Sequence, residues 1–436
     1  MKSSPSRAGA FPALAFMLAG NAFSVEPSPV QATGIINQEF AVDASNWDVA
    51  PFNAFTFTQT EKIFPTLLIS PGEQPFAPLS YAANQLDLAL IMVTDPATGT
   101  SISADALLND RIRNSGLILI HKGQVIHESY RNGLRRDVRH IGMSASKSFI
   151  GMLTQIAMQK DLLDEDDLVA KYVPEVRDKV AWADVTVRHV LDMRDGMKFV
   201  EDYEDPNSDV RRQDRAIGWR TRQDGDPEGL RDFVRQNLNE KSYPAGKVFN
   251  YASIQTDILG MVIEGASGKS LEEFFEAEFW SRLGAEFPAG MGTDGFGQPI
   301  VQGAISLTLP DLARTAMLVL NKGQNHRGEQ IVSQAFFEDL LTPNEELSDA
   351  FAYYDPGASF AHYRSQFWVN DTWNKQFLMN GVHGQIAFFD YERDFAMVGF
   401  GSYPVAVSPL LTASLFTLLE AVLTELDEAA SPDNRH

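Results

Sequence analysis

Ser144 and Lys147 stand three residues apart in the stretch HIGMSASKSF, His140 to Phe149. A serine hydroxyl is a weak nucleophile until a neighbouring base takes its proton. If Ser144 opens a helix, positions i and i+3 share a face, and the lysine reaches the hydroxyl. Lysine serves as a base only when neutral, and burial together with the positive end of a helix pushes its pKa down. The same helix N-terminus favours an oxyanion beside the backbone N–H of Ser144. The apolar FIGML that follows would bury the lysine stem. The bland reading is a serine N-cap and a solvated lysine, since S-x-x-K is short enough to arise by chance.

About a hundred residues on, Tyr251-Ala252-Ser253 stands just ahead of a helical pattern. A tyrosine there can share a proton with a neutral lysine and pass it to a leaving group; the alternative is a buried core tyrosine. In LMNGVHGQIAFFD, Gly381 and Gly384 head a predicted strand, where glycines let a backbone approach a substrate closely. The Val382 N–H is a candidate second oxyanion donor. His383 is read as a cleft residue or as an ordinary strand-end histidine.

These groups need elements to hold them. GLILIHKGQVIHESY, Gly116 to Tyr130, reads as a hairpin around Lys122-Gly123, and HGQIAFFD and DFAMVGFGSYP read as a second around Tyr391 to Arg393. Between them SKSFIGMLTQIAMQKDLLD and LPDLARTAMLVLNKG have helical periodicity, and the middle of the chain mixes helical patterns with polar loops. A last helix begins at Ser408 and Pro409, with Leu411, Leu415, Leu418, Leu419 and Val422 on one face; it reads as cover for a sheet rather than a membrane span. The fold class that follows is α/β of the α+β type: an antiparallel sheet built from both termini, flanked by helices, with a mostly helical insertion. The expected division is residues 25–165 with 304–436 as the sheet domain, including the S-x-x-K helix at the cleft, and 166–303 as the helical insertion. The stretch from Gln31 to Pro78 reads as an irregular segment wrapped on the surface.

Composition narrows the function. With 58 acidic against 36 basic residues the formal charge is -22, which argues against nucleic acid and anionic membranes as partners. The absence of cysteine removes disulfides, thiol nucleophiles and thiolate metal sites. Residues 1–24 carry Lys2, Arg7 and an apolar run ending in a small-x-small site, a candidate export signal. A cleaved signal would make the protein periplasmic or secreted; otherwise it is cytoplasmic. No metal or cofactor is implied: H-E-x-x-H, the P-loop, a dinucleotide glycine pattern and the G-x-S-x-G elbow are missing.

S-x-x-K, Y-x-S and the M-N-G preceding Val382, in that order, resemble the penicilloyl serine transferase group of class C β-lactamases, DD-peptidases and related esterases. The likeness runs from about Asn46 to the last helix. Within the group, GMSASKSF, EDYEDPNSDVRRQDRAIGW, NYAS and GVHGQ are similar to the 6-aminohexanoate-dimer hydrolase branch, the nylon-oligomer amidases, and its carboxylesterase relatives. The resemblance implies a β-lactamase/DD-peptidase-like fold. Ser144 would be the acylated nucleophile, Lys147 the base, Tyr251 the proton relay, and the backbone of Ser144 and Val382 the oxyanion hole. It further implies that Tyr203 closes over the substrate amide, that Asp214 holds a substrate amino group, and that Gln302 tunes substrate choice. For Asp214 the alternative is an ion pair with Arg211 or Arg215. Two departures stand out. Met379-Asn380-Gly381 replaces K-T-G, removing the cationic anchor for a penicillin carboxylate, and Tyr-x-Ser replaces Tyr-x-Asn.

The expectation is a serine hydrolase acting on a small-molecule ester or amide. The alternatives are a β-lactamase or D-amino-acid peptidase, and a non-catalytic protein that binds a peptide or amide in the same cleft. The oligomeric state, a homodimer included, is left open.

Overall fold

The computed structural model describes residues 42–354 and 362–430. The strands among them are β1 (Thr66–Ile69), β2 (Met92–Thr94), β3 (Ser101–Ser103), β4 (Asn114–His121), β5 (Gln124–Tyr130), β6 (His140–Ile141), β7 (Ala289–Gly292), β8 (Ile305–Leu307), β9 (His362–Arg364), β10 (Phe367–Asp371), β11 (Gln376–Gly381), β12 (Gln385–Asp390) and β13 (Phe395–Gly401). Five helices matter for the site: α1 (Ser146–Gln159), α2 (Asp209–Ile217), α3 (Ile254–Ser267), α4 (Leu309–Leu320) and α5 (Pro409–Ala430).

The first hairpin forms where its turn requires. Lys122 and Gly123 both adopt positive φ, 50° and 72°, the primed-turn geometry that matches the twist of paired strands. Along β4 successive side chains enter opposite cores. Ile118 and Ile120 join Phe149, Ile150, Ala313 and Ala316 of α1 and α4, while Leu117 and Leu119 join Leu415, Leu418 and Leu419 of α5. A strand buried on both faces reads as an unbroken apolar run, as GLILI does. Each such side chain contributes about 1.5–3 kcal/mol by burial.

The main sheet has seven antiparallel strands in the order β5-β4-β13-β12-β11-β10-β9. The two ends of the chain meet at β4 and β13, with His121 opposite Phe395 and Gly116 opposite Phe400. The sheet is therefore built from both termini, with helices on either face. A second, small sheet has the order β1-β7-β8-β6. No named strand lies between α1 and β7, a stretch that holds α2 and α3.

At the head of α5 the Ser408 hydroxyl accepts the Leu411 N–H at 3.3 Å, the expected N-cap. By length and hydropathy this helix is apolar enough to cross a membrane. Its Leu411, Leu415, Leu418, Leu419 and Val422 are buried with Phe388, Phe395 and Met397 of the sheet.

The segment before Pro78 departs from expectation. It is not only a surface wrapping: Trp47, Phe57 and Phe64 enter the main core, and β1 joins the small sheet. Trp47 stacks edge-on against both Phe64, at 5.0 Å, and Trp219, at 5.3 Å. Burying rings of this size is strongly favourable, even in a segment rich in polar residues. The export signal expected in residues 1–24, and residues 31–41 of this segment, lie outside the described residues.

Candidate active site

Strand β6 ends at Ile141, a single 3-10 turn covers Met143–Ala145, and α1 begins at Ser146. Met143 has φ of 45°, a left-handed conformation that is costly for a non-glycine residue and common at functional turns. It swings the chain from the small sheet into α1 and leaves Ser144 in the turn, two residues ahead of the helix rather than within it.

Lys147 is not solvated; it is 1% exposed. Its Nζ donates to Ser144 Oγ at 2.9 Å and to the Gln302 carbonyl at 2.7 Å. Burial pushes the amine down to about 8, against the upward pull of the Glu201 and Asp257 carboxylates. The Tyr251 phenol is hydrogen-bonded to Ser144, and Lys147 Nζ lies 5.3 Å from the centroid of its ring. Burial and then the charge of Glu201 push Tyr251 well above the usual phenol range, opposed by the bond to Ser144. A lysine whose neutral form is accessible and a phenol that keeps its proton thus converge on one serine hydroxyl. Such a set can take the serine proton and deliver one to a leaving group.

Strand β11 closes against this turn. A Cβ on Gly381 would lie 2.7 Å from the Gly142 carbonyl oxygen and 3.1 Å from the Ala145 nitrogen. Gly384, at φ 90°, makes room for the Tyr403 ring, 2.4 Å from where a Cβ would be. Their missing side chains admit the protein's own backbone and an aromatic ring.

A narrow cleft with about 50 Å³ of enclosed space opens over Ser144. Tyr203, Asp214, Gln302, Val382 and His383 all line it. The Tyr203 hydroxyl donates to Glu201, and the Arg211 guanidinium lies over the tyrosine ring at 5.4 Å. Asp214 is buried and accepts from Arg211 Nη1 at 2.9 Å, so it is both a cleft residue and half of an ion pair. Burial pushes its carboxyl up, and Arg211 and Arg220 pull it down. His383 is held in place: its Nδ1 lies 2.8 Å from the Tyr403 carbonyl, and Phe57 packs edge-on at 5.1 Å. Burial lowers its pKa, so it stands as a neutral wall. Gln302 contributes its carbonyl to Lys147 and lines the cleft as well. Ser253 is engaged elsewhere, its N–H and hydroxyl both donating to Glu201, at 2.5 and 2.7 Å.

Sequence reasoning missed several residues. Glu201 is hidden in an acidic run, EDYEDP, that reads as solvated surface. Trp47 and Asp48 reach the cleft from the segment taken as wrapping. Asp257 carried a usable signal, as the one acid among the buried positions of a mostly apolar helix, IQTDILGMVI.

The beta-lactamase family model matches residues 104–406. The 6-aminohexanoate-dimer hydrolase of Paenarthrobacter ureafaciens is 30% identical over 387 residues, covering 88% of this chain and 93% of that protein. Among solved structures, a candidate 6-aminohexanoate-dimer hydrolase from Bacillus anthracis aligns with a TM-score of 0.81 at 22% identity, over 90% of this chain and 99% of that one. A family VIII carboxylesterase aligns with a TM-score of 0.54 at 16% identity, over 74% of this chain and 95% of that one.

Proposed function

This chain belongs to the beta-lactamase family of serine hydrolases, and we propose that it cleaves carboxylic esters and linear amides, 6-aminohexanoate oligomers among them, through an acyl-enzyme on Ser144. The observation that carries the reading is the 2.9 Å contact between the buried Lys147 amine and Ser144, completed by the Tyr251 phenol. Neutral Lys147 takes the serine proton as Oγ attacks the carbonyl carbon. The oxyanion turns toward the N–H groups of Ser144 and Val382. The alcohol or amine leaves with a proton passed through Lys147 and Tyr251. Water then attacks the acyl-enzyme, giving its proton back along the same path and releasing the acid.

Met379-Asn380-Gly381 on β11 offers no cation for a β-lactam carboxylate. That favours open-chain substrates over lactams. Tyr203 would cover the scissile group, Gln302 and His383 would shape the wall, and Asp214 would receive a substrate ammonium, sharing its charge with Arg211.

A panel of p-nitrophenyl esters, the linear 6-aminohexanoate dimer and a chromogenic cephalosporin tests the reading. Turnover of the esters and the dimer is expected, with little of the cephalosporin. Efficient cephalosporin hydrolysis with an inert dimer would instead indicate a lactamase. Asp214→Ala should lower kcat/KM for the amino-terminated dimer by about tenfold relative to its desamino analogue, the size of one charged hydrogen bond. An unchanged ratio removes Asp214 from substrate recognition.

A further inference from the structure

Helix α3 buries a carboxylate that the mechanism above does not use. Asp257 is 1% exposed, and Ile254, Ile258 and Leu259 beside it on the helix are buried as well. Burying a charge among apolar side chains costs several kcal/mol unless it is well bonded. Here the bonds are specific. Oδ1 accepts the N–H groups of Val301 and Gln302, both at 2.9 Å, and Oδ2 accepts Gln213 Nε2 of α2 at 2.8 Å. Two adjacent peptide N–H groups on one oxygen fix the orientation of both peptides. The carbonyl of that same Gln302 receives Lys147 Nζ at 2.7 Å.

We propose that Asp257 is the positioning residue for Lys147: it clamps the Val301–Gln302 backbone so that the Gln302 carbonyl faces the amine, and it places a buried negative charge at the far end of that chain of bonds. The inference rests on Lys147 being the base. Of the charged and titratable groups around the amine, Glu201 is the other anion, bonded to Ser253 and Tyr203. Tyr251 and Tyr203 are held neutral by burial. Asp214, on α2, is turned to Arg211. Asp257 and Glu201 thus both oppose the desolvation of Lys147. Burial pushes the Asp257 carboxyl itself up to about 7, against its peptide N–H bonds and the Lys147 charge, so its negative charge is in place on the alkaline side of that value, where the lysine titrates. A base serves best when its pKa lies near the working pH, and desolvation alone would weaken this one.

The test is the pH profile of kcat and kcat/KM on a p-nitrophenyl ester for the wild type, Asp257→Asn, Asp257→Ala and Lys147→Ala. In Asp257→Asn the amide oxygen keeps both peptide N–H groups. Gln213 Oε1, which is buried with no partner, can turn to accept the new N–H, so the clamp survives and only the charge is lost. The acid limb is expected to move to lower pH by about one unit, with plateau kcat within about threefold of wild type. Asp257→Ala loses charge and clamp together, and should add a fall of about tenfold or more in plateau kcat with a smaller change in KM. A Lys147-dependent limb that stays in place in Asp257→Asn overturns the inference. That variant decides the matter alone if Asp257→Ala does not fold. A limb that persists in Lys147→Ala would instead sink the base assignment itself, a separate failure.

Discussion

Lys147 has two oxygen partners and, among the described residues, no carboxylate within ion-pair distance, and this sets its chemistry. With the amine lowered to about 8 by burial, the proposed base acts in its deprotonated form. Activity should therefore rise with pH through the lysine pKa and fall away on the acid side, in a range where an ordinary lysine stays charged. A flat profile from pH 6 to 10 would contradict this. Lys147→Ala should lower kcat/KM by about 10²–10⁴-fold, the usual contribution of a general base, while circular dichroism stays unchanged. That Ser144 and Lys147 meet, with Tyr251 beside them, was legible in the sequence because S-x-x-K and Y-x-S are short local patterns. Glu201 was not, because it stands in an acidic run and bonds Ser253 52 residues further on; Asp257 stood out as an acid among buried helix positions, but its partners Gln213, Val301 and Gln302, 44 or 45 residues away, did not.

At the scale of elements, the contact between β11 and the Ser144 turn is the tightest requirement. Gly381→Ala would press a methyl group onto the Gly142 carbonyl. A loss of about 1–3 kcal/mol in stability is expected from the overpacking, with a fall in kcat of about tenfold, since Ser144 and Val382, the proposed nucleophile and oxyanion donor, shift against each other. Equal kcat in a folded variant would show the contact to be incidental. Strand β6 carries a second liability. His140 is fully buried, its Nδ1 2.9 Å from the Ile141 carbonyl and its ring stacked on Phe400 at 4.7 Å. Burial lowers its pKa from 6.5 to about 4. Between those values the unfolded chain binds a proton that the folded one refuses, so stability falls as pH drops from 6.5 to 4, by up to about 3 kcal/mol. Urea midpoints across that window should slope less in His140→Phe than in wild type; parallel slopes would assign the acid sensitivity to other groups. The two hairpins were legible because alternation and turn chemistry lie within fifteen or so residues. The small sheet was not: β6 has two residues and β7 reads Ala-Gly-Met-Gly, with no strand propensity, and both depend on partners more than a hundred residues distant, Leu307 and Thr66.

Across the whole molecule, one sheet drawn from both ends of the chain holds two cores apart. Helix α5 closes the second. Leu418 and Leu419 are fully buried there, so Leu418→Ala should cost about 2–5 kcal/mol of unfolding free energy, read by urea denaturation. A change below about half a kcal/mol would mean that the helix does not depend on the sheet. The sequence made this architecture legible through the last helix and the flanking strands. The early segment was misjudged because its Pro, Asn and Thr suggest surface, while Trp47, Phe57 and Phe64 are spaced too irregularly to show a period. Those rings join that segment to the cleft, and Asp48 pairs with Arg220 beside it.

The most direct test of the central claim is fluorophosphonate labelling of the folded protein followed by peptide mass mapping, in wild type and in Lys147→Ala. The adduct is expected on Ser144, at a rate that collapses without the lysine. An unlabelled Ser144 in active protein, or labelling indifferent to Lys147, would contradict the account.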